Sequence, residues 1–141
     1  QATWRQDVRS WWNGQRHGSA IQSFWFREEE MITCTQTYKT DPAQLEAFET
    51  YSKAWIYLVN KMGGTHHGYF LPHEGANNKA WCMFSFASLG AYEDYRTRMD
   101  ADAECQAAYA YAVKTKCILS YDRTFTRPLL DGASPTELGL I

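Results

Sequence analysis

At 141 residues the chain is long enough for one domain with a real core, and its 21% charged content excludes a disordered chain. A net charge of −2 gives no electrostatic case for nucleic acid or an anionic membrane, and no apolar run approaches a membrane span. The cysteines, Cys34, Cys82, Cys105 and Cys117, are scattered without a C-x-x-C pair, so free buried thiols, a reducing compartment and a cytoplasmic location are expected.

Residues 1–30 differ from the rest. They hold four of the six tryptophans (Trp4, Trp11, Trp12 and Trp25), no lysine and no sustained helical or strand period, and no secretory signal is visible in them. They are expected to be an added N-terminal arm, with Met31 opening the patterned domain, or else an ordinary extension that docks its aromatics on the domain or on a partner subunit. From Ile32 to Tyr38 the chain alternates, with Ile32, Cys34, Gln36 and Tyr38 on one face and threonines on the other, which predicts a strand. Asp41 is placed to cap a helix that starts at Pro42. Leu45, Phe48, Ser52, Trp55 and Val59 follow at helical spacing and predict a helix over 42–62. Gly63 and Gly64 end it, because glycine accepts the left-handed conformation at a helix end.

Thr65 to Leu71 is aromatic-rich and bounded by Gly and Pro, as a strand is. His73 to Lys79 has the Gly and Asn residues of a hairpin loop, and Ala80 to Phe86 is the returning strand. Ser88 caps a helix carrying Leu89, Tyr92, Arg96 and Met99 on one stripe. Asp100-Ala101-Asp102 breaks and recaps the chain before an alanine-rich helix over 103–115. Ile118 to Arg127 is the last strand, with Leu119, Tyr121, Arg123 and Phe125 expected on one face, and Pro128 ends it. Residues 131–141 read as a loop-like tail.

Strand, helix, strand, strand, helix pair, strand is the order of an α+β, ferredoxin-like βαββαβ domain with a four-stranded antiparallel sheet. Its boundaries are 31–130, with 1–30 as the arm. Helices cover one sheet face. The other carries either Phe84 and Phe86 or Trp81 and Met83, according to register, and must find a cover. Two sheets closing face to face make a dimeric α+β barrel, so a homodimer is expected.

Several stretches of Met31 to about Leu130 resemble the NIPSNAP family in its bacterial branch. The most specific are Gly63-Gly64-Thr65-His66-His67-Gly68-Tyr69-Phe70-Leu71-Pro72 and Glu74-Gly75-Ala76-Asn77-Asn78. Thr40-Asp41-Pro42, Trp55, Ser88 to Arg96, Cys105-Gln106-Ala107-Ala108 and Ile118-Leu119-Ser120-Tyr121 extend the match. The resemblance implies a homodimeric α+β barrel and supplies no reaction. The wider barrel superfamily contains cofactor-free monooxygenases and haem proteins, which is fold-level analogy.

Three groups of residues offer chemistry. His66 and His67 are neighbours in a strand and point to opposite faces, so they cannot share a metal; no metal or cofactor is expected. One imidazole should face the cleft as a proton carrier or hydrogen-bond donor, or both are simply satisfied in the sheet. Arg96 lies on an apolar stripe, where it either holds a carboxylate or enolate or pairs with Glu93 or Asp100. Tyr38, Trp55, Tyr69, Trp81 and Tyr92, with His66, either line a pocket for a flat molecule or form ordinary core. Three functions follow: a homodimer binding a hydrophobic small molecule between sheet and helices, a cofactor-independent monooxygenase or isomerase using His67 as acid/base and Arg96 to hold an anion, and a non-catalytic interaction module. No nucleophile elbow, phosphate loop or dinucleotide fingerprint is present.

Overall fold

In the computed structural model, which describes residues 30–141, strand β1 (Ile32–Thr40) lies inside a four-stranded sheet. Strand β3 (Lys79–Phe86) and strand β4 (Ile118–Thr126) pair with it on either side, both antiparallel. Strand β2 (Thr65–Phe70) pairs antiparallel with the outer side of β3, so the order is β2-β3-β1-β4. This is the ferredoxin-like α+β arrangement that the element order predicts. The expected N-terminal arm falls almost wholly on residues 1–29, outside the described residues.

The helices start where the caps say. Asp41 accepts from the Ala43 N–H at 2.9 Å and Pro42 opens a single 3₁₀ turn, Pro42–Gln44, before helix α1 (Leu45–Lys61). Ser88 accepts from the Ala91 N–H at 3.0 Å and starts helix α2 (Leu89–Met99). Asp102 accepts from the Cys105 N–H at 3.0 Å and starts helix α3 (Ala103–Thr115), which ends on Lys116 in the left-handed conformation. Helix α1 buries Phe48, Tyr51, Ser52, Trp55, Leu58 and Val59, a broader face than the single stripe read from spacing. Helix α3 packs beside α1 and buries only Cys105 and Ala108.

The sheet's inner face carries Cys34, Gln36 and Tyr38 from β1 and Ala80, Cys82, Phe84 and Phe86 from β3, all buried with the helix side chains in one core. That settles the register: Phe84 and Phe86 meet the helices, whereas Trp81 and Met83 face the open side. The four thiols are free and buried. Burial pushes the Cys34 thiol up to about 12 and that of Cys82 to about 11, so neither is a thiolate at neutral pH. Among the described residues no helix is long and apolar enough to cross a membrane.

Two details depart from simple alternation. In β4, Tyr121, Arg123 and Phe125 share the inner face as expected, but Leu119 does not join them. It is the extra residue of a bulge, because Lys39 pairs with Ser120 while Thr40 pairs with Ile118, and its side chain is 56% exposed. In the tail, Ser134 and Glu137 cap one turn reciprocally, and Leu138, Leu140 and Ile141 stay exposed.

The turn between α1 and β2 is set by two glycines with different reasons. Gly63 has φ +96°, which L side chains rarely adopt. Gly64 has an ordinary φ, but a Cβ there would lie 2.7 Å from the Phe86 ring and 2.8 Å from Val59 Cγ1. The helix end is therefore clamped against the last residue of β3. Gly64→Ala should lower the unfolding free energy by about 1–3 kcal/mol in urea denaturation, whereas Gly132→Ala, with open space at its Cβ, should leave it unchanged. Equal midpoints for both variants would contradict so tight a contact.

Candidate functional site

The site lies between sheet and helices and begins with an irregularity in β2. Gly68 has φ +101°, and the register of β2 on β3 shifts between His66 and Tyr69. A glycine inside a strand is the usual sign of such a bulge. With strict alternation His66, Gly68 and Phe70 would face the helices. The bulge instead brings Tyr69 inward beside His66, with the two rings stacked at 5.0 Å. Phe70 turns out to the open face, where it stacks on Trp81 at 6.2 Å.

His66 is held at three points. Its N–H donates to Asn60 Oδ1 at 2.9 Å, its ring stacks on Phe84 at 5.8 Å, and its Nδ1 accepts from the Gly68 N–H at 2.9 Å. Since Nδ1 accepts, the neutral ring carries its proton on Nε2. Burial, helped by nearby His67, pushes its pKa from the ordinary 6.5 to about 4, so the ring is neutral at neutral pH.

Around His66 is a void of about 20 Å³, room for roughly one water. Tyr38, Trp55, Tyr69 and Tyr92, all expected as ligand contacts, line it. Trp81, expected with them, does not. Strand alternation sends it to the opposite face, where it is 46% exposed. Tyr51, Phe84 and Tyr95 also line the void and were not singled out from the sequence. Tyr51 and Tyr95 each sit one position before an expected stripe residue, Ser52 and Arg96, on faces broader than one line of residues.

Five tyrosines, Tyr38, Tyr51, Tyr69, Tyr92 and Tyr95, bring phenol groups to the lining, and nitrogen groups stand beside them. Gln36 Nε2, Trp55 Nε1 and His66 Nε2 are buried without a hydrogen-bond partner among the described residues. Each such group costs about 1–3 kcal/mol if left unmatched. Arg96 from α2 and Arg123 from β4 complete the lining, with Gln36 directly beside Arg123 in register. Burial holds the Arg96 guanidinium below its ordinary pKa; Tyr92 opposes that shift and Arg123 adds to it. Asp100, four residues along the helix as expected, is one of the charges Arg96 feels, while Glu93 is exposed.

His67 does not join this group. It points to the open face, where its Nε2 lies 2.7 Å from Ser85 Oγ, which is 2.6 Å from Thr33 Oγ1. The expected convergence of His67 and Arg96 in one cleft therefore does not occur. Adjacent strand residues face opposite ways, and His66 takes the inner position. His73 is exposed in the β2–β3 loop, and among the described residues no three His, Cys, Asp or Glu side chains group to hold a metal.

A family model described as NIPSNAP matches residues 34–131. In structure the chain is similar to a NIPSNAP family protein of unknown function from Agrobacterium tumefaciens, at 20% identity over 71% of this chain and 89% of that one, with a TM-score of 0.61. It is similar to an uncharacterized NIPSNAP-like domain protein from Burkholderia xenovorans, at 18% identity over 75% and 91% of the two chains, TM-score 0.61. A candidate antibiotic biosynthesis monooxygenase from Caulobacter crescentus shares 17% identity over 77% and 99%, TM-score 0.54. At these identities the structural likeness speaks for the fold alone. No curated protein matches the chain.

The depressed pKa of His66 makes a stability prediction. The unfolded ring titrates near 6.5 and the folded one near 4, so between those values the unfolded state binds more protons. Stability is then fully present above pH 6.5 and falls as pH drops towards 4. In urea denaturation between pH 7 and pH 4.5, the midpoint of the wild type should fall more steeply than that of His66→Gln. Parallel curves would show that His66 is not held neutral by the fold.

Proposed function

This chain belongs to the NIPSNAP family, and we propose that it binds a flat, largely apolar small molecule in the cleft between sheet and helices of a homodimer. The observation that carries this reading is the set of buried N–H groups of Gln36, Trp55 and His66 amid aromatic rings, matched by no acceptor among the described residues. A module that only filled its cleft with its own side chains would do better with apolar residues at those positions. A ligand supplies both missing parts, an acceptor and an apolar body.

The void at rest is smaller than such a ligand, so binding requires side chains to move. The lining residues that keep part of their surface in solvent are His66, Tyr69 and Arg123, all on the edge strands β2 and β4. Edge strands have one free side, and β2 is already bulged, so access from that side disturbs the fewest backbone hydrogen bonds.

The catalytic alternative loses its proposed acid/base pair with the separation of His67 from Arg96. Neutral His66 presents an N–H to the void rather than a lone pair, and the nearby thiols are held protonated. Binding is therefore preferred to catalysis by a monooxygenase or isomerase. Dimerisation is supported by the open sheet face, where Phe70 and Trp81 stack while 45% and 46% exposed, with Met83 beside them in β3. A second copy of the same face covers them. Four free thiols suit a reducing compartment such as the cytoplasm.

Two outcomes are expected. Toluene at millimolar concentration raises the urea midpoint of the wild type, and does so several-fold less for Val59→Ile, whose one added methylene fills the void; an unchanged wild-type midpoint contradicts the binding reading. Trp81→Glu converts the dimer to a folded monomer in light scattering, and a monomeric wild type contradicts the homodimer.

A further inference from the structure

We infer that the cleft selects a flat carboxylate: a conjugated body between the aromatic rings, with its carboxylate oxygens accepting from Gln36, Trp55 and His66 in the positive field of Arg96 and Arg123. This inference rests on the small-molecule reading above and names its ligand class.

The unmatched nitrogens of Gln36, Trp55 and His66 in the lining are all donors. Trp55 Nε1 can only donate. His66 has its acceptor nitrogen occupied by the Gly68 N–H at 2.9 Å, so its free position at Nε2 is a donor. Gln36, 1% exposed, presents its amide nitrogen. Trp55 is 7% exposed, so both it and Gln36 are interior side chains, and the Nε2 atom of the half-buried His66 is itself out of solvent. Two guanidiniums share the lining, which among the described residues contains no aspartate or glutamate. The two guanidiniums repel a cation, and no carboxylate among the described lining residues offsets them. A hydrocarbon gains the apolar contact but leaves the donors as they were. An oxyanion satisfies several donors and places its charge beside the arginines, which is the condition for burying a charge at all.

Shape narrows the class further. The walls are ring faces: Tyr69 stacked on His66, His66 on Phe84, and Phe84 on Tyr92 at 6.4 Å. A planar conjugated acid extends this run of near-parallel rings with its own face, which a tetrahedral phosphate or sulfate has no means to do. A planar carboxylate also meets a guanidinium in the geometry of a bidentate pair.

The test uses three probes of one size on the full chain at neutral pH: benzoate, benzylamine and toluene. Side-chain N–H signals are followed by NMR, with the Trp55 indole identified through Trp55→Phe. Benzoate is expected to shift the Trp55 indole and Gln36 amide signals and to bind about ten-fold tighter than toluene, the difference that charge-assisted hydrogen bonds make. Benzylamine is expected to leave these signals still. Gln36→Leu should reduce benzoate binding towards that of toluene while toluene binding holds. If benzylamine or toluene binds as well as benzoate, or benzoate moves the cleft without moving the N–H signals, the carboxylate assignment is overturned and the binding site stands. If none of the three perturbs any cleft signal, the binding reading itself fails and takes this inference with it.

Discussion

The period of two in a β-strand is the constraint on which this molecule turns. It sends Cys34, Gln36 and Tyr38 to the helices and the β1 threonines outward, and it forbids His66 and His67 from sharing a side. One exception, the bulge at Gly68, then resets the count so that Tyr69 follows His66 inward. Without that extra residue the smallest side chain would stand where a phenol now closes the cleft, and the stacked Tyr69–His66–Phe84 wall would not exist. The same bulge aims the Gly68 N–H at His66 Nδ1 and so fixes which nitrogen of the imidazole faces the void. Sheet geometry, tautomer and polarity of the site are thus one decision made in the backbone.

The energetics explain why that site is unlike the rest of the core. Elsewhere most buried polar groups are matched: Ser52 donates back to the Phe48 carbonyl, and Ser85 is bonded to Thr33 on the other sheet face, with the Thr40 hydroxyl an isolated exception. Around the void, buried N–H groups from three elements have no hydrogen-bond partner among the described residues. Since folded proteins keep only a small margin of stability, several such groups in one place are a substantial load. Their cost is recovered if binding supplies the acceptor, which couples occupancy of the cleft to stability of the fold.

Much of the architecture was legible in the sequence because local signals agreed with the tertiary result. Asp41 with Pro42, Ser88 and Asp102 each cap a helix near the position their chemistry implies, and Ala103–Thr115 begins and ends where the pattern placed it. The parity of the hairpin was not legible. Both faces of β3 carry large apolar side chains, Phe84 and Phe86 on one and Trp81 and Met83 on the other, so hydrophobicity could not choose between them. The sequence alone therefore leaves Trp81 with the ligand group and pairs His67 rather than His66 with Arg96, and the strand register reverses both. Gly68 was the available clue, since a glycine within a strand marks a bulge. Leu119 was misplaced for the same kind of reason, a one-residue bulge that no side-chain pattern announces. The second arginine of the site, Arg123, was visible on its strand face, but only pairing with β1 brings it beside Gln36.

The central claim is that the nitrogen-rich cleft is a ligand site and not a slightly imperfect core. The most direct measurement is a high-resolution crystal structure of the protein purified gently from its host and left unsoaked. The account predicts an acceptor oxygen of a bound molecule within hydrogen-bond reach of Gln36 Nε2, Trp55 Nε1 and His66 Nε2, with the Tyr69 ring displaced to admit it. A closed cleft in which those three groups bond to protein acceptors would contradict it.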